Sequence, residues 1–149
     1  MSLPLTVLLA AATTLSPATA RAASAAPTVQ ITKVYYDSPG VDRRSNASIN
    51  GEYVTIRNTT RKPIELADWT IHDKTGYRYT FAPDAALNPG QQLTLRTGQG
   101  RDTASTTHWG RHAYVWNNDK DIAYLRDPSG RLIDSCSYNS ARSDYRDCR

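Results

Sequence analysis

The chain has 149 residues with 18 basic and 14 acidic side chains, a length that suits one domain and hardly two. A net charge of +4 permits contact with anionic polymers but does not establish it. The positive residues are scattered, with only Arg43–Arg44 and Arg61–Lys62 adjacent, which excludes a long basic arm and favours a solvated surface of mixed sign.

Residues 1–25 read as a cleavable export signal. Leu3–Leu15 is an apolar run of 13 residues, followed by possible A-x-A cuts at Ala18–Ala20, Ala20–Ala22 and Ala23–Ala25. Thirteen residues fall short of the roughly 20 that a membrane-spanning helix needs. No Lys or Arg precedes Leu3, so either the signal is atypical or the true start lies upstream. A retained membrane anchor is the competing reading. No cysteine follows the run, which gives a lipoprotein anchor no support. Residues 26–149 then form the mature domain, with seventeen basic and fourteen acidic residues, a charge of +3 and no second apolar span.

From residue 26 onward, short period-2 segments alternate with Gly, Pro, Asn and Asp, the pattern of an antiparallel sandwich or barrel. Val29, Ile31, Val34 and Tyr35 mark a first strand. Residues 37–50 are a long polar loop, in which only Val41, Ala47 and Ile49 are apolar. Glu52–Asn58 alternates, with Val54 and Ile56 on one face and Tyr53, Thr55 and Arg57 on the other. Ile64 and Leu66 begin a short edge segment. Trp69 and Ile71 point inward, and Tyr77, Tyr79 and Phe81 share one face of the next strand. Asn88-Pro89-Gly90 is a turn, because Pro presets φ and Gly accepts the positive φ that follows.

Leu93 and Leu95 continue the core, and Gly98–His108 reads as a polar loop. Val115 and Trp116 lead into Asn117–Asp121, Ile122–Leu125 forms a strand, and Asp127–Gly130 is a turn. Leu132 and Ile133 then open the last strand toward Cys136. No segment of helical length has a 3.6-residue period. The expected fold is all-β, an immunoglobulin-like antiparallel β-sandwich of about seven or eight strands. Cys136 and Cys148 make an even pair in a chain bound for an oxidising medium, so a disulfide is expected. It would close a short loop, add about 3 kcal/mol of stability and pin the polar tail (residues 142–149) onto the last strand.

The order of several motifs resembles a lamin-tail domain of the exported bacterial type. Gly51-Glu52-Tyr53-Val54-Thr55-Ile56-Arg57-Asn58 matches its G-E-[YFW]-[VI]-x-[LI]-x-N strand, and Asp68-Trp69-Thr70-Ile71-His72-Asp73 its G-W-x-[LIV]-x-D stretch. Leu87–Gly90, Thr97-Gly98 and Trp116–Gly130 follow in the family's order, so the resemblance covers about residues 28–138. Asp68 stands where the family prefers Gly, and Lys120 where Gly is common. The resemblance implies a lamin-tail-type Ig-like sandwich with an adhesive or tethering role, of the kind appended to exported hydrolases or nucleases. It also implies that Trp69 fills the centre between the sheets.

No catalytic, cofactor or metal set is expected. His108 and His112 stand four apart, but Gly110 lies between them and Trp109 sits where a zinc-binding helix would need Glu. His72 falls on an outward face. Asn117, Asn118, Asp119 and Asp121 could hold calcium through Asn117, Asp119 and Asp121, although no Glu completes the loop and Asx-rich turns look the same. There is no G-x-S-x-G elbow, Gly98-Gln99-Gly100 lacks a third glycine, and Glu52 and Glu65 are the only glutamates. Tyr35, Tyr36, Tyr53, Tyr77, Tyr114, Tyr138 and Tyr145, with Arg43, Arg44, Arg57, Arg78 and Arg111, supply stacking and anion-binding groups, although about half of these tyrosines should be sheet or core residues.

The function expected is that of a secreted, non-enzymatic module. It would bind or tether a protein, a cell wall polymer or a nucleic acid, with no membrane span once the signal is cleaved. The alternatives are a nucleic-acid-binding accessory domain working with exported nucleases and, more remotely, a metal-dependent hydrolase built on His108, His112 and nearby Asp.

Overall fold

The computed structural model describes residues 25–148, so the expected export signal lies outside the described residues except for Ala25. The elements are β1 (Val29–Tyr35), α1 (Asn46–Ile49), β2 (Tyr53–Asn58), β3 (Ile64–Glu65), β4 (Thr70–His72) and β5 (Arg78–Thr80). They continue with β6 (Ala86–Leu87), β7 (Gln92–Arg96), β8 (Thr106–His108), β9 (Lys120–Arg126), β10 (Leu132–Asn139) and β11 (Tyr145–Asp147). The only helix among the described residues is the four-residue α1, which anchors the long polar loop through buried Ile49 while Val41 stays exposed.

A five-stranded sheet in the order β11-β1-β2-β7-β8 packs on a four-stranded sheet in the order β10-β9-β4-β5, with β3 and β6 as a small separate pair. Strand pairing is antiparallel except between β7 and β8. The period-2 pattern explains the layering. Val29, Ile31 and Val34 of β1, Val54 and Ile56 of β2, and Leu93 and Leu95 of β7 turn inward, and Ile71, Ala123, Leu125 and Cys136 meet them from the other sheet. Each large aliphatic side chain buried this way contributes roughly 1.5–3 kcal/mol. A backbone bulge between Ile31 and Lys33 bends β1, and there the Ile31 N–H donates to Asp134 of β10 at 2.8 Å, joining the sheets through a polar contact.

Three expectations change. Trp69 is half-buried and packs on the rim of the core, because it lies in the turn before β4 instead of on the strand; the indole in the interior is Trp116, 2 % exposed. Of Tyr77, Tyr79 and Phe81, expected along one strand, only Tyr79 lies in the three-residue β5; Tyr79 and Phe81 pack edge to face at 5.0 Å, while Tyr77 precedes the strand and is exposed. The stretch read as a polar loop ends in β8, whose threonines pair in parallel with β7 and bury only Thr107.

The polar tail also forms a strand. Its backbone pairs with β1, through Tyr35↔Tyr145 and Lys33↔Asp147, and the Cys136–Cys148 disulfide links its end to β10. The bond therefore joins the edge strands of the two sheets and closes one flank of the sandwich.

Candidate binding face

Strand alternation sends Tyr35, Tyr53 and Arg96 outward, opposite buried Val34, Val54 and Leu95. The register then aligns them. Tyr145↔Tyr35, Tyr35↔Tyr53, Tyr53↔Arg96 and Arg96↔His108 are successive Cα partners, so one row crosses all five strands of the larger sheet. The ring centroids of Tyr35 and Tyr53 lie 5.2 Å apart, and those of Tyr35 and Tyr145 5.6 Å, both as stacked pairs. Cations cover both ends: Lys33 Nζ lies 4.2 Å from the Tyr145 centroid, and the Arg96 guanidinium 5.3 Å from that of Tyr53. The ring faces are thus used within the row, and the tyrosine edges and hydroxyls are what it presents to solvent.

The cations are held in place. Arg96 Nη1 donates to the Asn50 carbonyl at 2.7 Å. Lys33 pairs with Asp147 at 3.2 Å, and that hydrogen bond holds its ammonium above the usual lysine range. Desolvation raises the Tyr35 hydroxyl, with Asp144 adding to the effect. Beside the row, Lys33, Thr55, Thr94 and Thr106 form a second register line along a groove of about 630 Å³.

The row ends at His108. Gly100 lies on its imidazole so closely that a Cβ there would clash with Nε2. His108 Nδ1 is 3.0 Å from Asp102 Oδ1. Desolvation pushes the Asp102 carboxyl upward, but bonds from His108 and Thr107 outweigh it, and the group ends below the usual range. His112 instead faces the Gln99 amide at 3.5 Å, so the two histidines are directed to different partners. His72 is bonded at both ring nitrogens, Nδ1 to the Asp73 carbonyl at 3.0 Å and Nε2 from Arg126 at 3.1 Å. Among the described residues, no three or more His, Cys, Asp or Glu side chains gather as a metal-ligand group.

The Asn117–Asp121 stretch serves as a backbone cap. The Asp121 carboxylate is buried and accepts from the backbone N–H groups of Lys74, Asn117 and Ile122 and from the Asn117 amide. Asp119 accepts from the Lys120 N–H, and the Asn118 amide reaches Asp37 at 2.9 Å. Gly98-Gln99-Gly100 is a tethered loop, with the Gln99 carbonyl accepting from both Asn46 and Asn50.

The remaining aromatic and basic residues separate by environment. Tyr36 and Tyr138 are buried as a stacked pair 3.8 Å apart, and desolvation drives the Tyr138 hydroxyl strongly upward. The Tyr77 ring lies under the Arg111 guanidinium at 4.2 Å, and the Tyr114 hydroxyl bonds Ser48 at 2.6 Å. Arg43, Arg44, Arg57 and Arg78 are exposed, and Arg43 lines a groove with Arg96.

Strand parity, more than its place in the motif, marks Glu52 as a buried carboxyl: it shares the phase of Val54 and Ile56 and is fully buried. Oε2 accepts the Val115 N–H at 3.0 Å. Burial pushes the carboxyl from 4.5 to about 8, against the opposing pull of the Val115 N–H that it accepts. Tyr145 gave no such signal, because it lies in a tail with no alternation.

A direct comparison supplies the family: the family model Lamin Tail Domain matches residues 22–140, a span that holds every strand from β1 to β10. The chain belongs to the lamin tail domain family. No match was found among curated proteins.

Family membership explains one departure from the motifs and removes the weight of the other. Asp68 takes the position at which the lamin-tail resemblance prefers Gly, and its φ is +63°, a left-handed conformation that glycine adopts without steric cost. Lys120 is the first residue of β9 and is not among the positive-φ residues, so a side chain there carries no such strain.

Proposed function

We propose that this lamin tail domain is an exported, non-enzymatic binding or tethering module whose ligand lies on the outer face of the five-stranded sheet. The observation that carries this reading is the Tyr145–Tyr35–Tyr53–Arg96 row, an ordered line of hydroxyls and cations left open on a sheet face. Residues 1–25 act as the export signal and 26–149 as the mature domain. The disulfide fits an oxidising compartment, and no helix among the described residues is long and apolar enough to cross a membrane. The ligand class is a protein or a cell wall polymer.

Immobilised mature domain is incubated with cell-envelope, nucleic-acid and secreted-protein fractions. Retention of one fraction, lost in Tyr35→Ser/Tyr53→Ser with the fold intact, is the expected result. Turnover of DNA, phosphoester or glycan by the purified protein, abolished by a point substitution, would overturn the non-enzymatic reading.

A second reading, a nucleic-acid-binding accessory domain of exported nucleases, draws on Lys33 and Arg96 at the ends of the row. The mutual stacking of the tyrosines weighs against it, because Tyr35 is flanked by Tyr53 and Tyr145 and its ring is already engaged. Salt separates the two: phosphate-driven binding to DNA weakens steeply between 50 and 200 mM, roughly in proportion to the number of phosphates neutralised.

A further inference from the structure

A groove of about 530 Å³ lies at the opposite end of the disulfide flank from the β2–β3 connection, lined by Lys74, Lys120, Arg146, Ser137, Tyr138 and Asn139 among others. Its three cations come from separate parts of the chain: Lys74 follows β4, Lys120 opens β9 and Arg146 lies in β11. Arg146 pairs with Val34, which is buried, and so stands on the inner side of its sheet, toward β10. Among the described residues, none of the three has an ion pair; the ion pairs involve Lys33, His108 and Arg131.

Among the described residues, one carboxylate lines the groove, that of Asp121, and it is 2 % exposed. Its oxygens are already taken by four N–H donors, so it does not reach out to the ammonium groups. Lys74 is steadied by donating to the Lys120 carbonyl at 3.1 Å, which fixes one charge beside the next. Ser137 and Asn139 add neutral hydrogen-bonding groups on an exposed strand face.

We propose that this groove is a binding site for a short run of linked phosphoryl groups, separate from the tyrosine row. A carboxylate has two oxygens and meets one or two of these cations, whereas adjacent phosphoryl groups offer several oxygens along a line. The Arg146 fork takes two of those oxygens, and Lys74 and Lys120 act as point charges on the rest. A nucleic acid strand fits less well. Among the described residues, the only aromatic ring on the groove is Tyr138, which is buried against Tyr36 at 3.8 Å and leaves no face for a base.

The test is titration calorimetry of the mature domain with sodium tripolyphosphate at low ionic strength. Tripolyphosphate binds at least tenfold more tightly than inorganic phosphate, and Lys74→Gln, Lys120→Gln and Arg146→Gln each weaken it by about fivefold, in line with loss of one solvent-screened charge contact. All three side chains are exposed, and unchanged thermal melting verifies that the variants fold. The distant pair Arg61→Gln/Lys62→Gln leaves binding unchanged. Equal weakening by that pair, equal affinity for single phosphate, or binding of single-stranded DNA without binding of tripolyphosphate each overturns the proposal.

Discussion

Glu52 Oε2 accepts the backbone N–H of Val115 at 3.0 Å, tying the entry of β2 to the segment that precedes β9. The carboxyl is buried, and burial raises it to about 8 in the folded protein from 4.5. Below pH 4.5 the group is protonated in both states and contributes no pH dependence. Between 4.5 and about 8 the unfolded chain has released its proton while the folded one keeps it, so folding stability falls as pH rises. Above about 8 the dependence ends. The expected loss across that window is at most on the order of 5 kcal/mol. Glu52→Gln keeps an acceptor for Val115 and flattens the slope. Urea denaturation at pH 5, 6.5 and 8 measures both proteins, and parallel slopes would contradict this assignment.

Breaking the disulfide should detach β11 before it affects the rest of the sandwich. The bond spans 12 residues, so its removal in Cys136→Ser/Cys148→Ser costs about 3 kcal/mol. Hydrogen exchange should show lost protection at the Tyr36 and Asp37 amides, which donate to the Asp144 carbonyl, with β2 and β7 unaffected. Protection retained at those amides would show that backbone pairing alone holds the tail.

Asp68 offers a stabilising substitution. At φ +63° it bears the steric penalty of a side chain in left-handed backbone, and it is exposed, so little contact is lost on removal. Asp68→Gly should gain roughly 0.5–1 kcal/mol, reduced by glycine's greater freedom in the unfolded chain. Asp68→Val should lose 1 kcal/mol or more, since a β-branched residue fits that region worst. Thermal melts of the pair test the order; a more stable Val variant would refute it.

The tyrosine row should couple energetically along the sheet. A double-mutant cycle of Tyr35→Ala and Tyr53→Ala should give an interaction energy of about 0.5–1 kcal/mol, as expected for a stacked cross-strand pair. The pair Tyr35 and Tyr77 should give none, because Tyr77 lies under Arg111. Equal coupling in both cycles would mean that the row is not a unit.

The core was readable because alternation is a local property: Val54 and Ile56, or Leu93 and Leu95, state their face within five residues. Register is not local. Tyr35, Tyr53 and Arg96 announce only that they point outward, and their meeting in one row depends on two strand pairings that no local pattern specifies. β8 and β11 were missed for a related reason, since their pairing rests on backbone groups while their side chains are polar and mostly outside the core. Trp69 was placed too deep because composition reports that an indole will seek cover, not whether its residue falls on the strand or in the turn before it. The cations at Lys74, Lys120 and Arg146 looked scattered in sequence, and only the closing of the flank by β11 brings them to one groove.

The last strand has a mechanical consequence. A pull on Cys148 enters the domain at two places at once, as shear along the β1–β11 hydrogen bonds and as tension through sulfur into β10. With the sulfurs joined, the load divides between both layers and the tail cannot unzip one bond at a time. Once they are reduced, the three-residue pairing of β11 carries it alone, so the redox state of the surroundings sets how firmly anything held through this end stays attached.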